Sequence, residues 1–169
     1  MPRLARPTFT YAETGRTRDG ELPAGYRHVR RDVVVGRGEP AFARVREGMR
    51  DWRIHRLAGM RVSSEGQPGI GISFHAALGF FRVPCEILWL RDENTVYGYG
   101  FGTLAGHPLS GEEAFEVRLS PDGTVTFSIR AFSRRVAWYA RLGGPLVAAL
   151  QDFMTGRFVR SARILAQNH

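Results

Sequence analysis

The stretch from residue 112 to residue 132 constrains the fold most, because it encodes a β-hairpin whose register follows from the residues. Two alternating apolar runs, 112–119 and 125–132, flank the turn sequence S-P-D-G-T at 120–124. A type I turn at Pro-Asp followed by a left-handed Gly gives a three-residue loop and pairs Ser120 with Thr124. The resulting register makes one face entirely apolar, with Leu119 opposite Val125, Val117 opposite Phe127 and Phe115 opposite Ile129.

Further strands with the same alternation precede this hairpin. The pattern predicts strands near 26–35, 70–78, 83–91 and 95–104. The turn at Asp92-Glu93-Asn94 predicts a second hairpin, in which Trp89, Ile87 and Cys85 lie opposite Tyr97, Tyr99 and Phe101. Glycines at 98, 100 and 102 share the face opposite those aromatic residues, and positions without a side chain let a strand bend sharply.

Helical spacing appears in two places. Pro40 suits the first turn of a helix, and Phe42, Val45, Met49 and Trp52 follow it on one face, before a short turn that ends at Gly59. The chain from about 136 to 166 predicts a long C-terminal helix with Ser133 as a plausible N-cap. Gly143-Gly144-Pro145 should break or kink it. Its predicted buried stripe is Leu146, Leu150, Phe153, Phe158 and Leu165.

This order of elements predicts an α+β fold of the helix-grip class. A curved antiparallel β-sheet would wrap around a long C-terminal helix, with two short helices after the first strand. We expect residues 1–25 to form an irregular N-terminal arm and residues 26–169 to form a single domain. A space between the sheet and the helix is the expected place for a ligand.

The composition is that of one soluble domain. The chain has 169 residues, 43% hydrophobic and 24% charged, which is enough to bury a core. No apolar run reaches the roughly 18–20 residues of a membrane span, and the first residues lack the apolar stretch of a signal peptide. Cys85 is the only cysteine in the sequence, which excludes an intramolecular disulfide and suits a cytoplasmic location.

The basic residues are unevenly distributed. The net charge is +8, and all 24 basic residues are arginine. Residues 1–61 hold 14 Arg against 7 acidic residues, and residues 135–169 hold 5 against 1. An arginine-rich N-terminal third could bind nucleic acid or an anionic surface. A solvated helix face rich in arginine is the simpler interpretation, so nucleic acid is the less favoured partner.

Four segments together resemble a known family. They are TYAETGRT at 10–17, LPAGYRHVRRDVVVGRGEPAFARV at 22–45, W-x-x-H-x-x-x-G at 52–59 and GHPLSGEEAFEV at 106–117. Their order and spacing resemble uncharacterised protein family 0548, a domain of unknown function in bacteria and plants, from about residue 9 to residue 165. That resemblance implies no activity, cofactor or catalytic residue. The architecture resembles Bet v 1-like, START-like and polyketide-cyclase-like proteins, a likeness of fold alone.

Seven aromatic residues should converge on the concave face of the sheet. They could form a tightly packed core or line an apolar cavity in which Tyr hydroxyls supply polarity. The cavity interpretation predicts a hydrophobic small molecule or lipid as ligand. The predicted lining residues are Phe74, Trp89, Tyr97, Tyr99, Phe101, Phe115 and Phe127.

The hairpin register separates two adjacent glutamates. Glu113 shares the covered face with Phe115, so desolvation should raise its pKa unless a partner compensates. Glu112 shares the other face and should be solvated. His107 precedes Pro108 in a loop and could contact a ligand beside Glu113 or simply hold a turn. A rim carboxylate satisfied by backbone groups or an arginine is the alternative interpretation of Glu113.

Other motifs carry less weight. GRGEPA at 36–41 matches a dinucleotide-binding pattern, but no second parallel strand or acidic residue follows at the required distance. The histidines lack metal-ligand spacing, and no cofactor is indicated. Cys85 is expected to be a small core residue. Phe80 and Phe81, at a predicted hairpin tip, could pack internally, form a dimer contact, cover a cavity mouth or touch a membrane peripherally.

Three functional hypotheses remain, and the first is favoured. The first is a protein that binds a hydrophobic small molecule or lipid between the sheet and the C-terminal helix. The second is an enzyme of cyclase, dehydratase or hydrolase type in the same cavity, with Glu113 or His107 as acid–base. The third is a binder of nucleic acid or anionic surfaces. The sequence leaves catalytic residues, ligand identity and oligomeric state open.

Overall fold

The computed structural model describes residues 8–167. Its main feature is one antiparallel sheet of seven strands with four helices, which confirms the predicted helix-grip class. The elements are β1 (Arg27–Arg37), α1 (Glu39–Arg50), α2 (Arg53–Leu57), β2 (Arg61–Ser64), β3 (Ser73–Leu78), β4 (Phe81–Asp92), β5 (Val96–Thr103), β6 (Leu109–Leu119), β7 (Thr124–Arg135), α3 (Trp138–Leu142) and α4 (Gly144–Gln167). The strand order is β1-β7-β6-β5-β4-β3-β2. The sequence pattern did not predict the short strand β2.

The β6–β7 hairpin has the predicted register. Leu119 pairs with Val125, Val117 with Phe127 and Phe115 with Ile129. The Ser120 N–H donates to the Thr124 carbonyl at 2.9 Å, which closes the turn. Gly123 has φ 84°, the left-handed conformation that this turn type requires. The strongest local signal in the sequence therefore predicts the pairing of two interior strands of the sheet.

The predicted register of β4 and β5 is wrong. Ile87 pairs with Phe101 and Trp89 pairs with Gly100, with an irregularity between the two pairs. One residue too many on β4 makes a bulge, and beyond it the side chains switch faces. Trp89 therefore points to the outer face of the sheet. The bulge has no sequence signal as clear as the Pro-Asp-Gly turn.

The helices α1, α2 and the second half of α4 fill the concave face. Val45 and Met49 of α1 are fully buried, as the helical spacing predicts. Phe158 and Leu165 of α4 are also buried in the same cluster. Apolar burial of this kind contributes about 25 cal/mol per Å². This packed end of the molecule holds the sheet and the helices together.

The first half of the C-terminal helix departs from the prediction. Leu146, Leu150 and Phe153 were predicted to be buried, but all three are exposed. The predicted N-cap is also wrong, because β7 continues to Arg135 and Ser133 is part of that strand. The periodic pattern shows an apolar stripe correctly, but it does not reveal what covers the stripe.

The described part of the N-terminal arm, residues 8–25, lies on the outer face of the sheet. Phe9 forms an isolated antiparallel bridge with Leu104. Tyr11 and Leu22 pack with Phe132 into a small second core. The arm covers the side-chain-free positions of β5, because a Cβ on Gly102 would collide with the rings of Phe9 and Tyr11. Among residues 8–167, no helix is both long and apolar enough to cross a membrane.

Candidate functional site

Most of the predicted aromatic residues form a solid core. Five of them are almost completely inaccessible, and Phe101 is 9% exposed. Their rings pack on one another, with centroids 5.6 Å apart for Phe101 and Phe115 and 5.7 Å apart for Phe115 and Phe127. Edge-to-face and tilted pairs at such distances are typical of cohesive aromatic packing. The core residues of this set are Phe74, Tyr97, Tyr99, Phe101, Phe115 and Phe127.

Trp89, the seventh predicted residue, lies on the opposite face. Its Nε1–H donates to Thr17 Oγ1 at 3.0 Å, beneath the N-terminal arm. Its indole occupies the space above Gly100, where a Cβ would overlap it. The bulge in β4 is the physical reason for this placement. Trp89 therefore fastens the arm to the sheet and does not share a wall with the other six residues.

Glu113 points to the concave face, as the register predicts. It alternates with buried Phe115 and lies between Phe101 and Ala131 on the neighbouring strands. Its carboxyl group is partly buried, and no hydrogen bond from residues 8–167 offsets the effect of that burial on its pKa. Desolvation raises the pKa of Glu113 to about 7. A carboxyl group that changes protonation near neutral pH can act as an acid–base or as an anchor for a polar ligand group.

Glu112 is not solvated, contrary to the prediction. Only 3% of the residue is exposed. Its carboxylate accepts hydrogen bonds from Tyr11 Oη at 2.8 Å, from Gly15 N at 2.8 Å and from Thr17 N at 3.0 Å, and also from Thr17 Oγ1. Burial and the adjacent Glu112 carboxylate raise the pKa of Tyr11 above its usual range. Glu112 is therefore the structural anchor of the arm.

His107 has a turn role in this structure. Its Nδ1 accepts a hydrogen bond from the Leu109 N–H at 3.0 Å. Burial lowers the pKa of His107 to about 4, so the ring is neutral at pH 7. The next residue, Pro108, accepts hydrogen bonds from Val136 N and Ala137 N through its carbonyl. This loop holds the end of β7 where the chain turns into α3.

Two further polar side chains lie inside the aromatic core. His55 packs against Phe158 and Phe115, with centroids 5.3 and 5.5 Å away, and its Nδ1 has no partner among the described residues. The hydroxyl of Tyr99 is likewise buried and unpartnered. Burial, reinforced by Arg56, lowers the pKa of His55 to about 3, and burial raises that of Tyr99 well above 10. No local pattern in the sequence indicates that these buried atoms would be unpaired.

A cavity of about 420 Å³ lies between the sheet and the first half of α4. This is the region in which the sequence predicts a ligand, but the lining residues differ from the predicted ones. The strand walls come from the ends of β1, β6 and β7, and the helical wall comes from α3 and α4. Apolar groups on the wall are Leu109, Val147 and Ala148. The polar and basic groups are Arg27, Ser133, Arg134, Arg135, Arg141 and Gln151.

The charge of the cavity is strongly positive. Arg27 pairs with Asp152, at 2.7 Å from Nη2 to Oδ1. Arg134, Arg135 and Arg141 form no ion pair with any carboxylate among residues 8–167. Arg134 stacks over the Tyr26 ring at 5.1 Å. That contact places the Arg134 guanidinium on the outer face, where Tyr26 packs against Phe132. The two guanidinium groups of Arg135 and Arg141 therefore favour an anion in this cavity.

Local sequence explains how these groups are held. Gln151 donates from Nε2 to Ser133 Oγ at 2.9 Å, which joins α4 to β7. A Cβ on Gly144 would collide with the guanidinium of Arg135, so the absence of a side chain at the start of α4 makes room for it. The predicted site missed these residues. The sequence feature that could have indicated this site is the Arg134-Arg135 pair beside a predicted helix start.

Glu113 lies one same-face cross-strand pair farther from the end of β7 than Ser133, which lines the cavity. Ser133 is opposite Gly111 and Arg27, and Ala131, two residues earlier on β7, is opposite Glu113. Alternate residues of a strand share a face, so Glu113 and the Ser133 wall point to the same side of the sheet. The order along this face is therefore arginines at the open end, then Glu113, then the aromatic core.

The arginines of α1 and α2 are used within the chain. Arg44 donates to the carbonyl oxygen of Ala166 at the end of α4. Arg46 and Arg50 both bind the carboxylate of Asp92. These contacts favour the interpretation of this region as a helix face, and they leave fewer guanidinium groups available for phosphates. Phe80 and Phe81 do not pack internally and are exposed.

Sequence comparisons identify related chains. A family model described as "Domain of unknown function (DUF1990)" matches residues 10–161. A UPF0548 protein of Deinococcus radiodurans is 34% identical over 157 residues, covering 84% of this chain and 79% of that protein. A UPF0548 protein of Arabidopsis thaliana is 26% identical over 129 residues, covering 70% of this chain and 63% of that one.

Solved structures show the same fold at low sequence identity. A hypothetical protein from Helicobacter pylori has a TM-score of 0.66 at 13% identity and covers 83% of this chain and 88% of that one. Ara h 8.0201 has a TM-score of 0.55 at 17% identity, covering 85% and 100%. The Zhui aromatase/cyclase from a Streptomyces species has a TM-score of 0.56 at 12% identity, covering 84% and 94%. The architecture is thus Bet v 1-like.

Proposed function

This chain belongs to the DUF1990 family, also named UPF0548, and we propose that it binds an amphipathic small molecule or lipid with an acidic group. The ligand would occupy the cavity between the sheet and α4. Its acidic group would meet Arg135 and Arg141, and its apolar part would lie against Leu109, Val147 and Ala148. Fold alone does not imply function, so the proposal rests on the site.

The unpaired arginines beside an apolar wall are the observation that supports this proposal most. An arginine presents several N–H donors in a planar fork that matches a carboxylate or phosphate. A volume of about 420 Å³ lies within the usual range for small-molecule sites. The predicted direct contact between a ligand and the core aromatic residues stays a prediction. In this proposal those residues mostly form the rigid layer behind the cavity.

An enzyme is the second candidate. The observation in its favour is Glu113, whose pKa of about 7 suits proton transfer at neutral pH. One structural neighbour is named an aromatase/cyclase. In this alternative the arginines hold the substrate and Glu113 donates or accepts the proton. Loss of turnover with unchanged binding in Glu113→Gln would separate catalysis from binding.

The first experiment is native mass spectrometry of the purified protein, followed by denaturing extraction. A retained acidic lipid or amphipathic molecule would support the proposal and name its chemical class. The second experiment compares decanoate with decanol by calorimetry, since the two probes share a chain and differ in charge. We expect decanoate to bind more tightly.

Variants locate the binding site. Arg135→Ala should weaken decanoate binding by about tenfold, the effect of losing roughly 1.4 kcal/mol from one charge-assisted contact. The matched control is Arg82→Ala, an exposed arginine of β4 outside the cavity, which should leave the affinity unchanged. Equal affinities for decanol and decanoate, or equal effects of the two variants, would contradict the proposal.

A further inference from the structure

The outer face of α3 and α4 presents a continuous row of large apolar side chains to solvent. The exposed fractions are 72% for Trp138, 79% for Leu142, 76% for Leu146, 45% for Leu150 and 56% for Phe153. A single exposed leucine needs no explanation, but a contiguous apolar patch marks an interaction surface. We refer to these five residues as the apolar stripe.

The spacing places the apolar stripe on one helical face. Successive members are four, four, four and three positions apart, which keeps them on the same side of a helix. The face continues through the junction of the two helices, because Gly143 N donates to the Tyr139 carbonyl at 3.0 Å and Val147 N donates to the Gly143 carbonyl at 2.8 Å. The side of α4 toward the body of the protein carries Gly144, Thr155, Phe158 and Ala162, which are buried.

The charges around the apolar stripe are positive. Arg160 and Arg163 are exposed in the following turns of α4. Arg157 lies over the Phe153 ring at 5.5 Å. From residue 135 to the end of the sequence the only acidic residue is Asp152, which pairs with Arg27. An apolar face with a tryptophan and flanking arginines is the combination that binds an anionic lipid surface.

We propose that the apolar stripe docks the protein on a membrane surface that contains anionic lipids. Trp138 and the leucines would enter the interface, and the neighbouring arginines would meet the lipid phosphates. A second copy of this chain fits less well, because a two-fold interface through the stripe would bring the arginines of two copies together. This inference does not depend on the proposed ligand, since the stripe lies on the side of α4 away from the cavity.

The direct test is co-sedimentation of the full chain with vesicles. Phosphatidylcholine vesicles with phosphatidylglycerol should bind the protein, and vesicles of phosphatidylcholine alone should bind it much more weakly. Added salt should reduce binding, because ions screen the arginine–phosphate attraction. Equal binding to both vesicle types, or binding to neither, would overturn the proposal.

Substitutions that introduce a negative charge then test which surface binds the vesicles. Leu146→Glu and Leu150→Glu should each lower the vesicle partition coefficient by about tenfold or more, because they remove apolar burial and add repulsion. Both side chains are exposed, so these variants should keep the fold, which circular dichroism would verify. Ile70→Glu is the matched control, because Ile70 is 72% exposed, close to the 76% of Leu146, but lies outside the stripe. It should bind as the unaltered protein does.

A further variant distinguishes the apolar stripe from the other exposed apolar site. Phe80, at the tip between β3 and β4, is completely exposed. If Phe80→Glu abolishes vesicle binding and Leu146→Glu does not, the hairpin tip is the docking surface and the stripe proposal is wrong. If sedimentation velocity shows a dimer that Leu146→Glu dissociates, and vesicles are not bound, a second copy is the partner and the proposal is also wrong.

Tryptophan fluorescence provides a local readout. Trp52 and Trp89 are buried, and Trp138 is exposed, so a change in quenching by iodide reports on Trp138. Docking should shift its emission to shorter wavelength and protect it from iodide. Trp138→Phe should lose that signal while most vesicle binding remains. Unchanged quenching of Trp138 in vesicle-bound protein would overturn the assignment.

Discussion

Two adjacent glutamates show how the surroundings of a side chain decide its role. Glu112 and Glu113 point to opposite faces of β6. Glu112 accepts hydrogen bonds from four donors of the N-terminal arm, so its oxygens are satisfied within the fold. Glu113 meets no donor among the described residues, and burial favours its neutral form. The first carboxylate holds structure, and the second is available for a ligand or a proton.

Glu113→Gln should make stability less dependent on pH. In the folded protein the pKa is raised from 4.5 to about 7, so the folded state holds the proton more tightly than the unfolded state. The contribution of Glu113 is therefore most favourable below about pH 4.5 and is lost as pH rises toward 7. At pH 8 the variant should be more stable by roughly 3 kcal/mol, judged by urea denaturation. Glu65→Gln, at an exposed position, is the control; equal effects at both positions would contradict the prediction.

The two glutamates also mark how far sequence reasoning reaches at single positions. The hairpin register placed Glu113 on the covered face correctly, because alternation along a strand is a local rule. Solvation of Glu112 was predicted from the same rule and is wrong. Its face is covered by residues 95 or more positions earlier in the chain, and nothing local to β6 reveals that cover.

At the scale of the elements, the N-terminal arm packs on the outer face of β5 where glycines leave room for it. The indole of Trp89 lies where a side chain at position 100 would be. Gly100→Ala should therefore destabilise the fold by about 1–3 kcal/mol, the usual result of overpacking. Gly66→Ala is the matched control, because no atom lies within 4 Å of its added Cβ. Urea denaturation measures both, and equal midpoints would show that the indole can move aside without strain.

The arm should loosen when its anchor is removed. Glu112→Ala leaves the Tyr11 hydroxyl, the Thr17 hydroxyl and two backbone N–H groups without their acceptor. We expect a loss of about 3 kcal/mol, since buried donors without partners are costly. Limited proteolysis should cut the arm of this variant faster. Glu21→Ala, an exposed carboxylate of the same arm, should behave like the unaltered protein. Equal cleavage rates would show that Glu112 does not hold the arm.

Helices and strands differ in how well their partners can be predicted. The long C-terminal helix was predicted within a few residues of its ends, and its break at Gly143 was also predicted. The exposure of its apolar stripe was not predicted, because periodicity identifies an apolar helix face but not what packs against that face. The β4–β5 register failed for a related reason, since one extra residue at a bulge reverses every later side chain.

At the scale of the whole molecule, positive charge should affect stability and binding in opposite directions. The net charge is +8, so salt should relieve repulsion within the folded chain and raise the thermal midpoint. Salt should at the same time weaken attachment to anionic vesicles. We expect the midpoint to rise between about 20 mM and about 500 mM NaCl while bound protein falls. A parallel fall of both would mean that pairs such as Arg27–Asp152 dominate over the net charge.

The general architecture followed from the sequence because it rests on strand count, turn chemistry and one final helix. The candidate site did not follow from the sequence, because its arginines come from separate elements, the end of β7 and α3. The β1 wall of the site lies beside them only because β1 pairs with β7, about a hundred residues later in the chain. Long-range pairing of this kind leaves no local pattern. Six of the seven predicted aromatic residues lie in the packed core, and their direct contact with a ligand stays a prediction.

The first half of α4 has two faces with different neighbours. Val147, Ala148 and Gln151 line the cavity, and Leu146 and Leu150 look outward. A helix is stiff across its width, so a shift that suits one face moves the other. If a ligand in the cavity and a membrane at the outer face favour different positions of α4, each changes the affinity of the other by the same factor. Attachment at the outer face would then change how tightly the cavity binds its ligand.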